Sequence, residues 1–349
     1  MNIKKKGLWT LIALVLAALT VYAVMKGGGM SAADFINAWD RANKWWLGAA
    51  FLCMLGYIGF EGMAVRSILK ICGYPRRHRQ GILYGAADVY FSAITPSATG
   101  GQPASAYFMI RDGAPTAVTT AVLLLNLIMY NASIITLGAA TLVIRPQMFL
   151  HFKPICKILI GVGTLVILGM IAVFQLLLWR PRVLHRLVDW LFLLLHKLRI
   201  LKHTERMEER ILRAMEEYKN CVGILSGNRK MWLEAYIFNL LQRVSQILVS
   251  GCVFFAMGGR RGVISVLTTQ CFVTLGANCV PIPGAMGVTD YLMLDGYMNL
   301  MSRDAAFEVQ LLSRTISFYI CIIISGLIVL AGWIWQHKKR YAKKQRESA

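Results

Sequence analysis

The sequence predicts an all-α polytopic membrane protein with about six full spans and two re-entrant hairpins of broken helix. Three observations support this prediction. Of the 349 residues, 57% are hydrophobic, and the mean hydropathy of +0.55 is well above that of soluble globular domains. Six apolar segments are long enough to cross a bilayer, which takes roughly 20 residues. Two further apolar segments, 81–110 and 263–301, are each interrupted by proline and glycine.

The charges in the loops predict the orientation of the six spans. The chain has 38 Lys and Arg against 17 Asp and Glu, and cations accumulate on the cytoplasmic side of membrane proteins. With the N-terminus inside, the inner segments hold 27 of the cations and the outer segments hold nine. Both chain ends are therefore predicted to be cytoplasmic. The predicted spans are 7–25, 45–69, 115–144, 155–179, 231–257 and 306–335.

Composition also bears on other classes of protein. The apolar core behind Lys4–Lys6 is about 18 residues long, which exceeds the ~7–15 residues of a secretory signal, so we interpret it as a retained first span. The eight cysteines form no CxxC pair, which favours small core residues over disulfides or a metal site. Nucleic-acid binding is the rival explanation of the basic charge, but the cations flank apolar spans instead of covering one folded face.

The two interrupted segments occupy corresponding places in two units of opposite orientation. The first unit, 45–144, would receive its hairpin from the cytoplasm, and the second, 231–335, from outside. Such an inverted repeat is typical of alternating-access carriers, whose site lies near the midplane where the broken helices meet. The sequence thus predicts one transmembrane domain over 1–340, followed by a basic cytoplasmic tail at 341–349.

The segment 180–230 connects the two units and is the only sizeable polar segment. Its apolar run at 190–195 is too short to cross and has basic residues on both sides, which suits a helix in the headgroup region. The charged run 204–219 is predicted to be a solvated connecting helix, with a regulatory role as the alternative. About 50 residues cannot house a catalytic domain of ordinary size.

The two breaks are the strongest indication of a binding site. A broken helix in lipid leaves backbone groups unpaired unless protein or a water-filled cavity receives them. Glycine lets a backbone approach a ligand closely, and the half-helix that follows each break points its N–H groups at that place, which suits an anionic phosphate. The alternative is a kink needed only for packing. The candidate residues are Thr95, Pro96, Ser97, Thr99, Gly100, Gly101, Gln102, Asn278, Pro281, Pro283, Gly284 and Gly287.

Charged residues within apolar spans are the second set of candidates, because burying a charge in a membrane is costly. Glu61 and Asp88 lie in the first unit, and Arg243, Asp290 and Arg314 lie in the second. Two acids in one unit and two arginines in the other suggest ion pairs between the repeats. These pairs would either contact a substrate or merely lock the helix bundle.

No enzyme motif is apparent. The sequence has no HExxH, no GxSxG, no P-loop and no GxGxxG after a strand, and its six histidines all lie in loops or at membrane edges. We therefore predict no catalytic residue, no metal and no cofactor.

The motifs at the breaks resemble those of a known family. Pro96-Ser-Ala-Thr-Gly-Gly-Gln-Pro103 with Arg111-Asp-Gly113, and later Pro281-Ile-Pro-Gly-Ala-Met-Gly287 with Asp290 and Arg314, are similar to the lysylphosphatidylglycerol synthase transmembrane region. This is the flippase-like domain of the bacterial multiple peptide resistance factor. The second motif usually reads Pro-x-Pro-Gly-Gly-Leu-Gly with a following glutamate, whereas Ala285, Met286 and Asp290 take those places here.

The resemblance implies a lipid flippase in the bacterial plasma membrane. It would move an aminoacylated phospholipid such as lysylphosphatidylglycerol between leaflets and so contribute to resistance to cationic antimicrobial peptides. In full-length relatives a large soluble domain makes this lipid from aminoacyl-tRNA and phosphatidylglycerol, and this sequence has no counterpart of that domain.

Two other classes of function stay open. One is a phosphatidylglycerol lysyltransferase, by family name or with a separate synthase subunit as partner, in which case tRNA would bind. The other is a small-solute transporter or a membrane scaffold. The expected partner is a membrane phospholipid, anionic or aminoacylated, and a homodimer is left open.

Overall fold

The computed structural model describes residues 32–180, 182–184, 186, 205–278 and 282–348. Every regular element within these ranges is helical, as predicted. The predicted first span 7–25 and the predicted interfacial helix 190–195 lie outside the described residues. The helices in chain order are α1 Ala32–Arg41, α2 Lys44–Ile71, α3 His78–Ile94, α4 Gly101–Arg111, α5 Thr116–Ile144, α6 Pro146–Leu150, α7 Pro154–Trp179, α8 Glu205–Gly227, α9 Arg229–Ala256, α10 Val263–Ala277, α11 Val288–Met298, α12 Arg303–Arg314 and α13 Cys321–Ser348.

Both predicted hairpins are helix–break–helix segments. A 3₁₀ turn at Pro96–Ala98 separates α3 from α4, and a second one at Pro283–Ala285 precedes α11. A π-helical segment, Thr315–Ile320, joins α12 to α13. Proline accounts for both breaks because it has no backbone N–H and its ring clashes with the preceding turn of helix.

Five helical segments within the described ranges are long and apolar enough to cross a membrane, and they match five of the six predicted spans. The polypeptide is therefore a multi-pass membrane protein. Of the five, Pro154–Trp179 has the fewest buried residues, and its apolar side chains such as Leu165 and Val173 are exposed. This distribution fits a helix that faces lipid. The five segments are Lys44–Ile71, Thr116–Ile144, Pro154–Trp179, Arg229–Ala256 and Arg303–His337.

A glycine lets the first half of each hairpin pack closely against a full span. A Cβ on Gly62 of α2 would lie 2.2 Å from the carbonyl oxygen of Gly81 in α3. In the second half of the chain, a Cβ on Gly163 of α7 would lie 2.0 Å from the carbonyl oxygen of Leu275 in α10. Both distances are far inside van der Waals contact, so only glycine permits these backbone approaches. The two half-helices are thereby held against neighbouring spans.

Most of the buried apolar side chains form two large clusters with a polar layer between them, and Phe318 and Ile322 form a third, small one. Along α2, Met54 and Ile58 belong to one cluster, whereas Val65 and Ile68 belong to the other, and Glu61 lies between the two groups. Helix α9 repeats this pattern: its two ends contribute to opposite clusters, and its middle carries the buried polar residues Asn239, Gln242 and Arg243. The packing of the bundle therefore leaves its polar side chains together at mid-depth.

Candidate functional site

The two breaks meet in the polar layer. The two 3₁₀ turns contact each other, and residues from both breaks line one cavity of about 720 Å³. Helices α2, α5 and α9 contribute polar side chains to its wall. The lipid-facing helix α7 contributes Val166, Met170 and Phe174, which makes one side of the cavity apolar. The cavity thus combines a polar interior with one apolar wall. It lies where the two broken helices meet, which is where the sequence predicted a site.

The first break is closed by the side chain of Thr95. Its hydroxyl donates a hydrogen bond to the carbonyl of Phe91 at 2.6 Å and accepts one from the backbone N–H of Gly100 at 2.8 Å. Backbone groups that the interruption would otherwise leave without partners are met in this way, as a low-dielectric environment requires. Thr95 is therefore part of the framework of the break and does not line the cavity.

Asp88 lies beside the start of α4, the half-helix that follows the first break. Its Oδ1 accepts a hydrogen bond from Gln102 Nε2 at 3.0 Å. A Cβ on Gly101 would lie 2.4 Å from the same oxygen and 2.7 Å from the backbone carbonyl of Asp88, so glycine is needed for this approach. The positive end of the α4 dipole favours a carboxylate here.

The second break is held by Asp290 in the first turn of α11. Its Oδ2 accepts a hydrogen bond from the backbone N–H of Gly287 at 3.0 Å, and its Oδ1 accepts one from Gln310 Nε2 at 2.8 Å. Gly287 has a φ of +76°, a conformation that favours glycine. We expected a ligand phosphate at the start of each half-helix. At α11, however, the protein's own carboxylate caps the helix.

Arg314 pairs with Asp290, which belongs to the same predicted unit, 231–335. Its Nε donates to Asp290 Oδ1 at 3.0 Å, and its Nη2 donates to the carbonyl of Gly284 at 3.2 Å. The expected ion pair between the repeats does not form here, because a closer acid is available one helix away. The guanidinium also lies over the ring of Phe318, 4.8 Å from its centroid. Arg314 therefore braces the second break, although it also lines the cavity.

Glu61 is joined to the predicted second unit by amides and not by an arginine. Its Oε1 accepts a hydrogen bond from Asn126 Nδ2 at 2.7 Å, and Asn126 Oδ1 accepts one from Asn239 Nδ2 at 3.0 Å. Within the described part of the chain, no ion pair joins Glu61 or Asp88 to a cation. The side chain of Glu61 is 1% exposed, and its Oε2 has no hydrogen-bond partner.

Arg243 is the cation of the cavity. Its Nη1 donates to Gln246 Oε1 at 2.6 Å, and the guanidinium lies over Tyr130, 3.9 Å from the ring centroid. Tyr57 is also near, 5.6 Å from the guanidinium to its ring centroid. Arg243 is only 3% exposed, and its Nε and Nη2 have no hydrogen-bond partner. These two nitrogens form one edge of the planar fork that matches a phosphate or carboxylate.

The structure brings eight of the predicted residues to the cavity wall and leaves seven of them in the framework of the breaks. Pro281 lies outside the described residues, and the side chain of Ser97 is not described either. The residues that do not line the cavity are Thr95, Pro96, Gly100, Gly101, Pro283, Gly287 and Asp290. The predicted residues that line it are Glu61, Asp88, Thr99, Gln102, Arg243, Asn278, Gly284 and Arg314.

Sequence analysis did not identify several polar residues of the wall. Asn126 and Tyr130 of α5 lie four positions apart, and Arg243 and Gln246 of α9 lie three apart, so each pair shares one face of its helix. The signal in the sequence is the helical spacing of these polar residues within apolar spans. They are not among the candidates because only charged residues were considered within the spans. As for metals, the described residues contain no group of three His, Cys, Asp or Glu side chains that could hold an ion.

The fold and the cavity define a multi-pass membrane protein with a polar site between two broken helices. The chain belongs to the lysylphosphatidylglycerol synthase TM region family, whose model matches residues 8–325. It is also similar to the UPF0104 membrane protein PH1989 of Pyrococcus horikoshii, with 24% identity over 127 residues. That alignment covers 36% of this chain and 38% of the relative.

Proposed function

We propose that this protein is a flippase that moves an amine-bearing phospholipid, such as lysylphosphatidylglycerol, between membrane leaflets. One observation carries the proposal: a single cavity offers both unpaired donors and unpaired acceptors. The donors are two nitrogens of Arg243, and the acceptors are Oε2 of Glu61 and Oε1 of Gln102. A phosphate satisfies the first set and an ammonium group the second. A headgroup that carries both groups complements the whole site.

The apolar side of the cavity favours a lipid over a small solute. Val166, Met170 and Phe174 belong to α7, whose outer surface is apolar and exposed. A headgroup held at Arg243 can therefore leave its acyl chains along α7 and in the surrounding bilayer. A small polar solute would gain nothing from such a wall, because it has no apolar surface to bury.

The proposal includes the setting of the protein. We place it in a bacterial plasma membrane because its family resemblance implies one. We place both chain ends in the cytoplasm because most of the cations lie in the segments that share their side of the membrane. Moving a cationic lipid to the outer leaflet lowers the negative charge of the cell surface. Cationic antimicrobial peptides then bind that surface less strongly, because their attraction to it is electrostatic.

Reconstitution into liposomes tests the proposed activity. Acyl-chain-labelled lysylphosphatidylglycerol should change leaflets faster with the protein than in protein-free liposomes, as measured by quenching of the label from outside. Arg243→Gln should lose this acceleration, whereas Lys230→Gln, at an exposed position of the same helix, should keep it. Equal rates with and without the wild-type protein would reject the flippase. Mass spectrometry of the same liposomes, supplied with phosphatidylglycerol and lysyl-tRNA, would reveal lysyl transfer if that alternative holds.

A further inference from the structure

The carboxylate of Glu61 is a buried acid of the cavity that keeps one oxygen without a hydrogen-bond partner. Only one of its oxygens receives a hydrogen bond, from Asn126, while its side chain is almost completely buried. A buried, half-satisfied carboxylate is costly, and the cost disappears if the oxygen gains a cationic partner or a proton. Asp88 lines the same cavity with a single hydrogen bond, from Gln102. Neither of the two acids forms an ion pair with a cation among the described residues.

The charged and titratable groups around these acids come from every neighbouring helix. Arg243 also lines the cavity; one of its nitrogens donates to Gln246, its guanidinium lies over the ring of Tyr130, and its two remaining nitrogens are the proposed donors to the phosphate. Arg314 is committed to Asp290. The groups that line the cavity are Tyr57 and Glu61 of α2, Asp88 of α3, Tyr130 of α5, Arg243 of α9, Arg314 of α12 and Cys321 of α13, together with the uncharged Gln102 of α4.

We propose that Glu61 and Asp88 form a proton-binding site that is emptied when the amine of the lipid headgroup enters the cavity. This proposal rests on the proposed flippase function and adds the source of energy for the movement of the lipid. In the absence of lipid, the two carboxyl groups hold one proton between them, so the pair carries one negative charge. When lipid binds, that proton leaves to water on the side to which the cavity is open, and the ammonium group takes its place. No covalent bond to the lipid forms or breaks.

This exchange couples lipid movement to a proton gradient in a defined direction. The carrier returns across the membrane with either a lipid or a proton, so the two move in opposite directions. Protons moving from an acidic to an alkaline compartment drive the lipid towards the leaflet that faces the acidic side. In a cell whose exterior is the more acidic side, this is the outer leaflet.

A pH gradient across proteoliposomes tests the coupling. With a gradient of about one pH unit, acyl-labelled lysylphosphatidylglycerol should become enriched in the leaflet facing the acidic side. For one proton per lipid, the ratio between leaflets should shift about tenfold, because one pH unit corresponds to a factor of ten in the proton ratio. A protonophore should return the ratio to even. Lipid that moves quickly but stays evenly distributed would overturn the proton exchange and leave the flippase intact. Lipid that does not move at all would reject the flippase itself, and the exchange with it.

Substitutions and a second lipid locate the exchange at the two acids. Glu61→Gln and Asp88→Asn should abolish the gradient-driven enrichment, while Glu234→Gln, at an exposed position of α9 away from the cavity, should retain it. Enrichment that persists in both acid variants would overturn the assignment. Labelled phosphatidylglycerol has no amine and should show no enrichment with wild-type protein. Equal enrichment of both lipids would refute the displacement of the proton by the ammonium group. This comparison uses only wild-type protein, so it does not depend on the folding of a variant.

Discussion

The two breaks occupy corresponding places in the chain, yet their carboxylates have different environments. Asp290 at the second break accepts hydrogen bonds from a backbone N–H, an amide and a guanidinium. Asp88 at the first break receives one hydrogen bond from an amide and has no cation paired with it among the described residues. Each acid lies near the start of a half-helix, but only Asp290 is fully engaged by its surroundings.

The difference indicates that the second break has a structural role, whereas the first leaves a carboxylate available to a ligand. A carboxylate with three donors, one of them a paired arginine, holds one conformation, because releasing any donor leaves a charge unsatisfied. A carboxylate with one donor keeps capacity for a ligand. We therefore expect substitutions of residues that hold a break together to lower stability, most of all at the second break, and substitutions of unpaired polar residues that line the cavity to act mainly on transport. Four predictions test this expectation.

The largest effect is expected for Arg314→Ala, which removes the guanidinium from Asp290 and from the carbonyl of Gly284. Loss of one partner of a buried pair costs about 3–5 kcal/mol, and the exposure of Asp290, 31% of its side chain, places this case near about 3 kcal/mol. The free energy of unfolding in detergent should fall accordingly. Arg303→Ala, at an exposed position of the same helix, is the control. Equal stability of Arg314→Ala and wild type would show that the second break is not braced in this way.

Arg243→Met should impair transport without lowering stability, which is the opposite of the effect expected for Arg314→Ala. The substitution removes a buried guanidinium that has two unpaired nitrogens, so the free energy of unfolding should stay the same or rise. Transport of labelled lysylphosphatidylglycerol should fall about 10–100-fold, because a hydrogen bond to a charged group contributes about 1.5–3 kcal/mol. Leaflet assays and unfolding curves on the same preparation measure both quantities. A variant that is unstable yet transports normally would contradict the assignment of Arg243 to the ligand.

Gly101→Ala should disturb the first break through steric contact. The added Cβ would lie 2.0 Å from Ser92 Oγ and 2.7 Å from the backbone carbonyl of Asp88, which forces a shift of backbone. Such overpacking costs about 1–3 kcal/mol and would displace the Asp88 carboxylate. We expect a lower unfolding midpoint and slower transport. Gly59→Ala in α2, where a Cβ meets no atom within 4 Å, should leave both unchanged or raise stability slightly. Similar behaviour of the two variants would argue against the close approach.

The smallest effect is expected for Thr95→Val, which keeps the shape of the side chain and removes its hydroxyl. The backbone N–H of Gly100 then loses its acceptor, at a cost of about 1 kcal/mol. A small decrease in the unfolding midpoint should result, with transport preserved. Thr120→Val removes a hydroxyl that bonds only to the carbonyl one turn earlier in α5, and it should have less effect. If Thr95→Val abolished transport at unchanged stability, Thr95 would belong to the binding site.

Much of the architecture was predictable from local sequence. The five described spans and the two interruptions follow from segment length, hydropathy and the chemistry of proline, all of which act on a stretch of chain by itself. The roles of the charged residues were not predictable in the same way. Arg243 and Arg314 were expected to pair with the acids of the first unit, whereas Arg314 donates to Asp290 and to the Gly284 carbonyl of the second unit.

The sequence by itself determined which segments enter the membrane and where two of them break, because these properties depend on apolar length and on proline. Only the tertiary structure decided which polar side chains are satisfied. It closes the second break around Asp290, and it leaves Glu61 and Arg243 with unpaired atoms in a shared cavity. The physical reason is that hydrogen bonding between helices depends on distances of a few ångströms between residues far apart in the chain, such as Glu61, Asn126 and Asn239.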